Sequence, residues 1–259
     1  MDVALLGPRG TYTHEAAETF FTSYEPEFCQ TLVDVFEADT DAAIFAFENS
    51  LEGSVSNAID LLRQTERSIT GEYKHPINHC LLAEHDDITA IKRVRSHPQA
   101  LGQCQAIIRE YGWEQIESPS TAQAIHNLES NEAAIASELA GTLNEMHILR
   151  TGIADSETNV TRFLILDHAQ TEGEKTAMIL DPGEDRPGLL HSMLGCFSGH
   201  DINLSYIQSR PTKTELGKYY FFVEAEIGRD SPRFQRALQC LETYTEVNIL
   251  GSYPKATPK

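Results

Sequence analysis

Asn159, Thr161 and Arg162 stand together where the apolar run Leu164-Ile165-Leu166 begins. An amide, a hydroxyl and a guanidinium offer hydrogen bonds and charge pairing. At the start of a buried strand they need partners, inside the protein or in a ligand. Taken alone the segment also reads as ordinary strand, because Thr suits strands and Arg usually lies at the surface. Other polar clusters upstream alter that balance: Arg9 to Thr13, Glu48 to Ser50, Ser96 to Gln99, and Pro119 to Thr121. Gly7 to Thr13 is a turn feeding a helix N-terminus. Its free N–H groups and the hydroxyls of Thr11 and Thr13 suit an anion. Thr13 reads equally well as a plain N-cap. The turn matches neither a P-loop nor a dinucleotide fingerprint. Gln99 and Gln103 share a helix face, either exposed or functional. His75 and His79 have the same spacing, but Pro76 disfavours a helix there and no third ligand is evident, so no metal site is expected. No Ser-His-Asp ordering stands out.

The elements that must hold these residues alternate. Val3 to Leu6, Ala42 to Phe47, His79 to Ala83, Val94 and Ala133 to Ala136 read as strands. Helical patterns run through Ala16, Ala17 and Phe20, and through Ile59, Leu61 and Leu62. A further helix starts near Pro98, which suits a first turn. Ser120 opens a capping pattern for a helix through Ile125 and Leu128. This alternation implies mainly parallel, doubly wound sheets, which bind ligands beyond the carboxyl ends of their strands. The Asn159 cluster precedes its strand, as expected if the chain returns there from a second lobe. The expected fold is therefore α/β, with a two-lobed domain over residues 1–168, its second lobe at about 78–158, and a cleft between the lobes.

Residues 168–175 are polar and close this pattern. From 175 to 259 the order becomes βαββαβ, that of a ferredoxin-like domain. Its helix stripes are Leu189, Leu190, Met193, Leu194, Phe197 and Phe234, Ala237, Leu238, Leu241, Tyr244. Tyr219, Phe221, Val223, Ala225 and Ile227 alternate along one strand and should face the helices. Tyr220 and Phe222 then fall on the other face, where pairing of two copies would cover them.

Of the 259 residues 41% are hydrophobic, enough for a sizeable core. The formal net charge of −19 disfavours nucleic-acid and anionic-membrane partners. It leaves room for a small anionic substrate at a local site. The acid excess reads as a solvated surface. No apolar run reaches membrane-spanning length. The N-terminus reads as a strand without a basic leader, and the five scattered cysteines as reduced core thiols, so a cytoplasmic location is expected.

These clusters, in this order, resemble the prephenate dehydratase family over nearly the whole chain. Gly7 to Ala17 meets its Gly-Pro-x-Gly-Thr-Tyr pattern, which Ser or Thr and an Ala pair follow. Glu48 to Val55 meets Glu-Asn-Ser-x-x-Gly-x-Val. Ser96 to Cys104 meets Ser-His-Pro-Gln-Ala-Leu-x-Gln-Cys, and Asn159 to Phe163 meets Asn-x-Thr-Arg-Phe. The lobed domain then resembles periplasmic binding proteins in pattern, and the small domain resembles the ACT module that follows in this family. Arg186 to Leu190, Ile202 to Leu204 and Ser209 to Pro211 fit that module. Ala46-Phe47 departs from the usual Pro-Ile, and Gln208 stands where a Glu often precedes Ser-Arg-Pro.

The resemblance implies conversion of prephenate to phenylpyruvate, water and carbon dioxide, without a cofactor, in phenylalanine biosynthesis. It implies Thr161 as hydrogen-bond donor to the departing ring hydroxyl. Asn49, Ser50, Ser96 and Gln103 would position substrate, with Thr11 and Thr13 at the helix end, and Arg162 would balance a carboxylate. In a regular strand Thr161 and Arg162 point to opposite faces, which opposes both reaching one substrate. Phenylalanine is the implied allosteric inhibitor, bound near Gly188, Leu189, Leu190, Asn203 and Leu204 in a homodimer or homotetramer joined through ACT and catalytic domains. A two-lobed solute-binding protein and a non-catalytic amino-acid sensor are the alternatives, and an assay with prephenate separates them from the enzyme.

Overall fold

The structure is a computed structural model that describes residues 1–184, 186–215 and 217–256. Alternating runs of buried aliphatic residues build its first sheet. The chain opens β1 (Asp2–Leu6), α1 (Tyr12–Phe20), β2 (Glu25–Cys29), α2 (Leu32–Glu37) and β3 (Ala42–Asn49). Next come the short β4 (Gly53–Ser54), α3 (Ser56–Leu62) and the long β5 (Ser68–Pro76). β1 pairs in parallel with β2 and β3, and β4 folds back antiparallel on the end of β3. The sheet order is β2-β1-β3-β11-β5, where β11 is Val160–Asp167.

The second sheet is built from β6 (Cys80–Ala83), β7 (Arg93–Ser96), β8 (Glu114–Glu117), β9 (Glu132–Ala136) and β10 (His147–Arg150), in the order β10-β6-β9-β7-β8. Its helices are α4 (Pro98–Gly102), α5 (Gln105–Tyr111) and α6 (Glu138–Leu143). Strand alternation divides its side chains between two cores. Leu81, Val94, Ile135, Leu101, Ile108 and Trp113 pack on one face. Leu82, Ala134, Ile125, Leu128 and Ala140 pack on the other. Each fully buried aliphatic side chain contributes roughly 1.5–3 kcal/mol by leaving water. The sheet is mixed rather than mainly parallel, because β6 pairs antiparallel with both β9 and β10.

The third sheet holds β12 (Lys175–Asp181), β13 (Leu204–Pro211), β14 (Tyr219–Ala225) and β15 (Glu246–Tyr253), all antiparallel in the order β13-β14-β12-β15. With α7 (Leu189–Ser198) and α8 (Pro232–Leu241) this is the expected ferredoxin-like order. Met178, Leu180, Val223 and Ala225 meet Met193, Phe197, Phe234 and Leu241 in its core.

The chain forms two compact units, Met1–Ser54 with Lys74–Phe163, and Val55–Tyr73 with Leu164–Lys259. Their boundaries cut β5 and β11 instead of falling in the polar stretch 168–175. Within the second unit, residues 55–73 cover the helix-free face of the third sheet. Tyr220 and Phe222 are 2% and 0% exposed there. The Tyr220 hydroxyl donates to Asp60 Oδ1 at 2.5 Å, and the Arg63 guanidinium lies 4.7 Å from its ring centre. A second copy is therefore not needed to cover them. The strand alternation was read correctly, but a segment far away in sequence supplies the cover. Tyr219, expected on the helix side, is 48% exposed at the strand's start.

Two further expectations change. The capping residue works, since Ser120 Oγ accepts from Gln123 N–H at 3.0 Å, but only the 3-10 turn Gln123–Ile125 follows. Asn127 takes a positive φ of 56° and turns the chain away. Cys196 of α7 and Cys240 of α8 form a disulfide, whereas Cys29, Cys80 and Cys104 are free and buried as expected. No helix among the described residues is long and apolar enough to cross a membrane.

Candidate active site

The site begins with a turn. After β3 the chain reverses into β4, and Asn49 directs the reversal. Its Oδ1 accepts the backbone N–H of Leu51 at 3.0 Å and of Glu52 at 3.1 Å. Asn is suited to this because its short side chain can mimic a backbone acceptor. Ser50 ties the turn to β11: its Oγ donates to Thr158 O at 2.7 Å and accepts Val160 N–H at 3.0 Å. Asn49 thus comes beside residues 110 and 112 positions away.

With Oδ1 occupied by two N–H donors, the Asn49 side chain has one orientation, and its Nδ2 must donate. It donates to Asn159 Oδ1 at 2.8 Å and to Thr161 Oγ1 at 3.0 Å. Asn159 Nδ2 in turn donates to Gln103 Oε1 at 2.9 Å. His79 Nε2 lies 2.9 Å from the same Oε1. An oxygen there requires Nε2 to carry the proton, so His79 Nδ1 is the acceptor for the Tyr12 hydroxyl at 2.6 Å. The direction of every proton from Tyr12 to Thr161 follows from two backbone amides. Burial lowers the pKa of His79, which keeps it neutral, and pushes that of Tyr12 well above the usual phenol value.

Two donors are left over. Thr161 accepts from Asn49 and keeps its own proton for another oxygen. Gln103 Nε2 donates one hydrogen to Glu52 Oε1 over a long 3.5 Å and has the other to offer. The Gln103 backbone is also anchored, its carbonyl accepting Asp155 N–H at 2.7 Å. The α4 helix that carries it starts with Pro98, and His97 caps it by accepting Gln99 N–H.

Thr161, Asn49 and Gln103, singled out in the sequence, are thus brought together. Thr11 caps α1, accepting His14 N–H and donating to Leu6 O. Thr13 is buried within that helix. Ser96 is fully buried and donates to Ile135 O at 2.5 Å, which places it in the β7–β9 region of the second lobe and outside the chain of amides. Ser50 serves the backbone of the turn. Arg162 is buried, 3.2 Å from Glu48 and with its guanidinium 4.7 Å from the Phe47 ring centre. Thr161 turns to Asn49 and Arg162 to Glu48, as strand alternation requires. Tyr12 and His79 join the site without having been singled out as site residues, and Asn159, singled out as a polar group, had been given no role toward substrate. Their sequence signal was the motif membership of Tyr12 and Asn159; His79 was weighed only as a metal ligand.

The two lobes approach closely at Gly10. Ser137 Oγ donates to Gly10 O at 2.9 Å. Gly10 has a φ of +89°, and a Cβ there would come within 3.1 Å of Ala140 Cα, so a side chain is disfavoured by backbone strain and by a tight contact.

In the second unit, Leu189 and Leu190 line a cleft of about 80 Å³ with Phe221, Tyr219, Lys218 and Thr212. Gly188 precedes α7 in the left-handed conformation that glycine favours, at φ 81°. Asn203 donates to Glu226 at 2.8 Å, and Leu204 packs on the helix-side core, so neither lines this cleft.

The prephenate dehydratase family model matches residues 3–171, and the ACT domain model matches residues 183–241. The chain is 34% identical to the prephenate dehydratase of Methanocaldococcus jannaschii, over 95% of this chain and 96% of that one. It resembles the solved structure of a prephenate dehydratase from Arthrobacter aurescens in complex with L-Phe, with a TM-score of 0.90 and 29% identity over 100% and 92% of the two chains. It also resembles GqqA, described as a novel type of quorum quenching acylase, with a TM-score of 0.91 and 28% identity over 100% and 99%.

Proposed function

Because the chain belongs to the prephenate dehydratase family and has that activity, we propose that Thr161 donates the hydrogen bond that lets the ring hydroxyl depart. The observation that carries this is the direction of the Asn49 bond: Asn49 donates to Thr161, so the Thr161 proton points to another oxygen. In prephenate the bond from the ring to one carboxylate breaks and carbon dioxide leaves. Its electron pair moves through the ring, which becomes aromatic, and the C–O bond to the hydroxyl breaks. One proton is taken up and the oxygen leaves as water. Aromatisation supplies the driving force, so the protein's task is orientation and stabilisation of the departing oxygen. A Thr hydroxyl is too weak an acid to ionise. Its contribution is a directed hydrogen bond, strengthened by the bond it accepts. Gln103 positions a substrate oxygen through Nε2. Thr11 and Thr13 lie at the N-terminus of α1, which favours an anion. Arg162 is paired with Glu48, whose side chain is 38% exposed; in this reading a substrate carboxylate displaces Glu48 from the guanidinium.

Thr161→Val keeps the shape and removes the hydroxyl. The expected result is a fall in kcat of about 10²-fold with KM little changed; an unchanged kcat would sink the assignment. Turnover is expected to persist with a chelator present.

The acylase chemistry of GqqA requires a nucleophile activated by a base. Thr161 Oγ1 accepts from the Asn49 amide, a donor, and so is not activated as a nucleophile by that group. Burial raises the thiol pKa of Cys80 to about 11 and of Cys104 to about 12. These features favour the dehydratase.

Residues 1–168 form the catalytic domain and 175–259 the ACT domain in this reading, supported by the spans of the two family models. Phenylalanine, the ligand in the Arthrobacter complex, is the proposed feedback inhibitor. It would bind near Gly188, Leu189 and Leu190. Association of two copies is supported by β13, an edge strand with Ile207 43% exposed. Calorimetric titration with phenylalanine beside the activity assay tests this; no binding means no feedback through this domain.

A further inference from the structure

Gln103 is held by more than the helix that carries it. Its Oε1 receives two hydrogen bonds, from Asn159 Nδ2 and His79 Nε2, both at 2.9 Å. A carbonyl oxygen can accept two bonds, and with both in place the amide cannot flip. Its Nε2 must then face the other way, as a donor. Asn159 is oriented by Asn49. His79 needs its own constraint, because a neutral imidazole can carry its proton on either nitrogen. Gln103 Oε1 calls for Nε2–H, and Tyr12 reinforces it: its hydroxyl lies 2.6 Å from Nδ1, nearer than Asn78 O at 3.3 Å, and donates there once Nε2 holds the proton; its ring also packs edge-on against the imidazole, with centroids 5.4 Å apart. His79 is 2% exposed, so water does not compete for either nitrogen.

We propose that Tyr12 and His79 are positioning residues for the dehydration: Tyr12 reinforces the Nε2–H tautomer of His79, whose bond to Oε1 locks Gln103 with its amide hydrogens presented to the substrate. Neither touches substrate. The inference rests on Gln103 as a substrate-positioning residue, and deepens that reading. Thr161 and Gln103 are then two donors on one chain of hydrogen bonds, both directed from the backbone amides at Leu51 and Glu52, with His79 and Tyr12 securing its far end.

The test is a double-mutant cycle on the full-length protein with prephenate as substrate. Gln103→Leu and His79→Leu are each expected to lower kcat/KM by about tenfold. The double variant is expected to match Gln103→Leu alone, because His79 acts only through Gln103. His79→Gln keeps a donor directed at Oε1 and is expected to restore most of the activity. Additive losses, or a His79→Leu variant that loses stability while kcat/KM is unchanged, would overturn the proposal. A Gln103→Leu variant with wild-type kcat/KM would instead remove the reading beneath it. Imidazole ¹⁵N shifts give a measurement independent of any folding defect in His79→Leu. His79 is expected as the Nε2–H tautomer in the wild type, with that preference weakened in Tyr12→Phe. A wild-type Nδ1–H tautomer would overturn the proposal.

Discussion

The chain of amides at the candidate site and the cluster around Asp60 solve opposite problems. Tyr12, His79, Gln103, Asn159, Asn49 and Thr161 are neutral, and each bond has a direction. The chain ends in donors with work left to do. Asp60, in α3, is charged and saturated. It accepts from Arg210 Nε at 3.0 Å and Nη2 at 2.8 Å, from Lys213 at 2.7 Å and from Tyr220 at 2.5 Å. The Arg210 guanidinium holds its carboxyl well below the usual range, with help from Lys213 and Tyr220. A charged hub binds strongly but carries no orientation beyond its own geometry. A neutral chain binds weakly at each link, yet it transmits which way every proton points. Anchoring a segment and directing a donor call for these different designs.

The sharpest way to break the comparison is to reverse one direction without changing shape. Asn49→Asp puts an acceptor where the Nδ2 donor was. The Thr161 proton is then drawn to the new carboxylate and away from substrate. The expected loss in kcat is about 10²-fold, as for losing a transition-state donor. A variant with full activity would show that hydrogen-bond direction is irrelevant.

At the hub the same kind of isosteric change should act on stability instead. Asp60→Asn removes the charge and leaves Arg210 partly exposed and unpaired. Denaturant titration should show a loss of about 2 kcal/mol, below the range for fully buried pairs because the site is partly solvated. kcat measured on folded protein should hold. Asp60 binds its proton less readily folded than unfolded. Its contribution is therefore complete above the ordinary value of 3.8 and is lost as pH falls through the depressed folded value. Acid titration of stability should be shallower in Asp60→Asn as pH falls from 3.8 toward the depressed folded value.

Arg162 lies between the two designs, since it is charged and paired but adjoins Thr161. Arg162→Lys loses the planar fork and is expected to raise KM by roughly fivefold. If stability falls and KM does not move, the Glu48 pair is purely structural.

The smallest effect concerns His79. Burial disfavours its charged form, so the unfolded chain takes up a proton first as pH drops below 6.5. Stability should fall as the pH drops from 6.5 to 5, and that slope should be shallower in His79→Gln. An identical slope in both proteins would place the titrating group elsewhere.

Much of the fold was legible because it is local. The alternation of Tyr219 to Ala225 and the stripe from Leu189 to Phe197 reflect backbone periods of 2 and 3.6, which neighbouring residues set by themselves. Thr161, Asn49 and Gln103 were legible through ordered motifs. The length of the helix after Ser120 was not, because a cap starts a helix without sustaining one, and Asn127 turns the chain.

By itself the sequence determined the strand and helix order, the two faces of β14, and the polar residues gathered at strand ends. Only the tertiary structure decided what met those faces and groups. Tyr220 finds Asp60, 160 residues away, and so stays out of water without a second copy. His79 could carry its proton on either nitrogen until Asn49 met Asn159 across 110 residues. Periodicity is a property of adjacent residues. The partner of a buried face, and the direction of a proton, depend on groups that only folding brings within 3 Å.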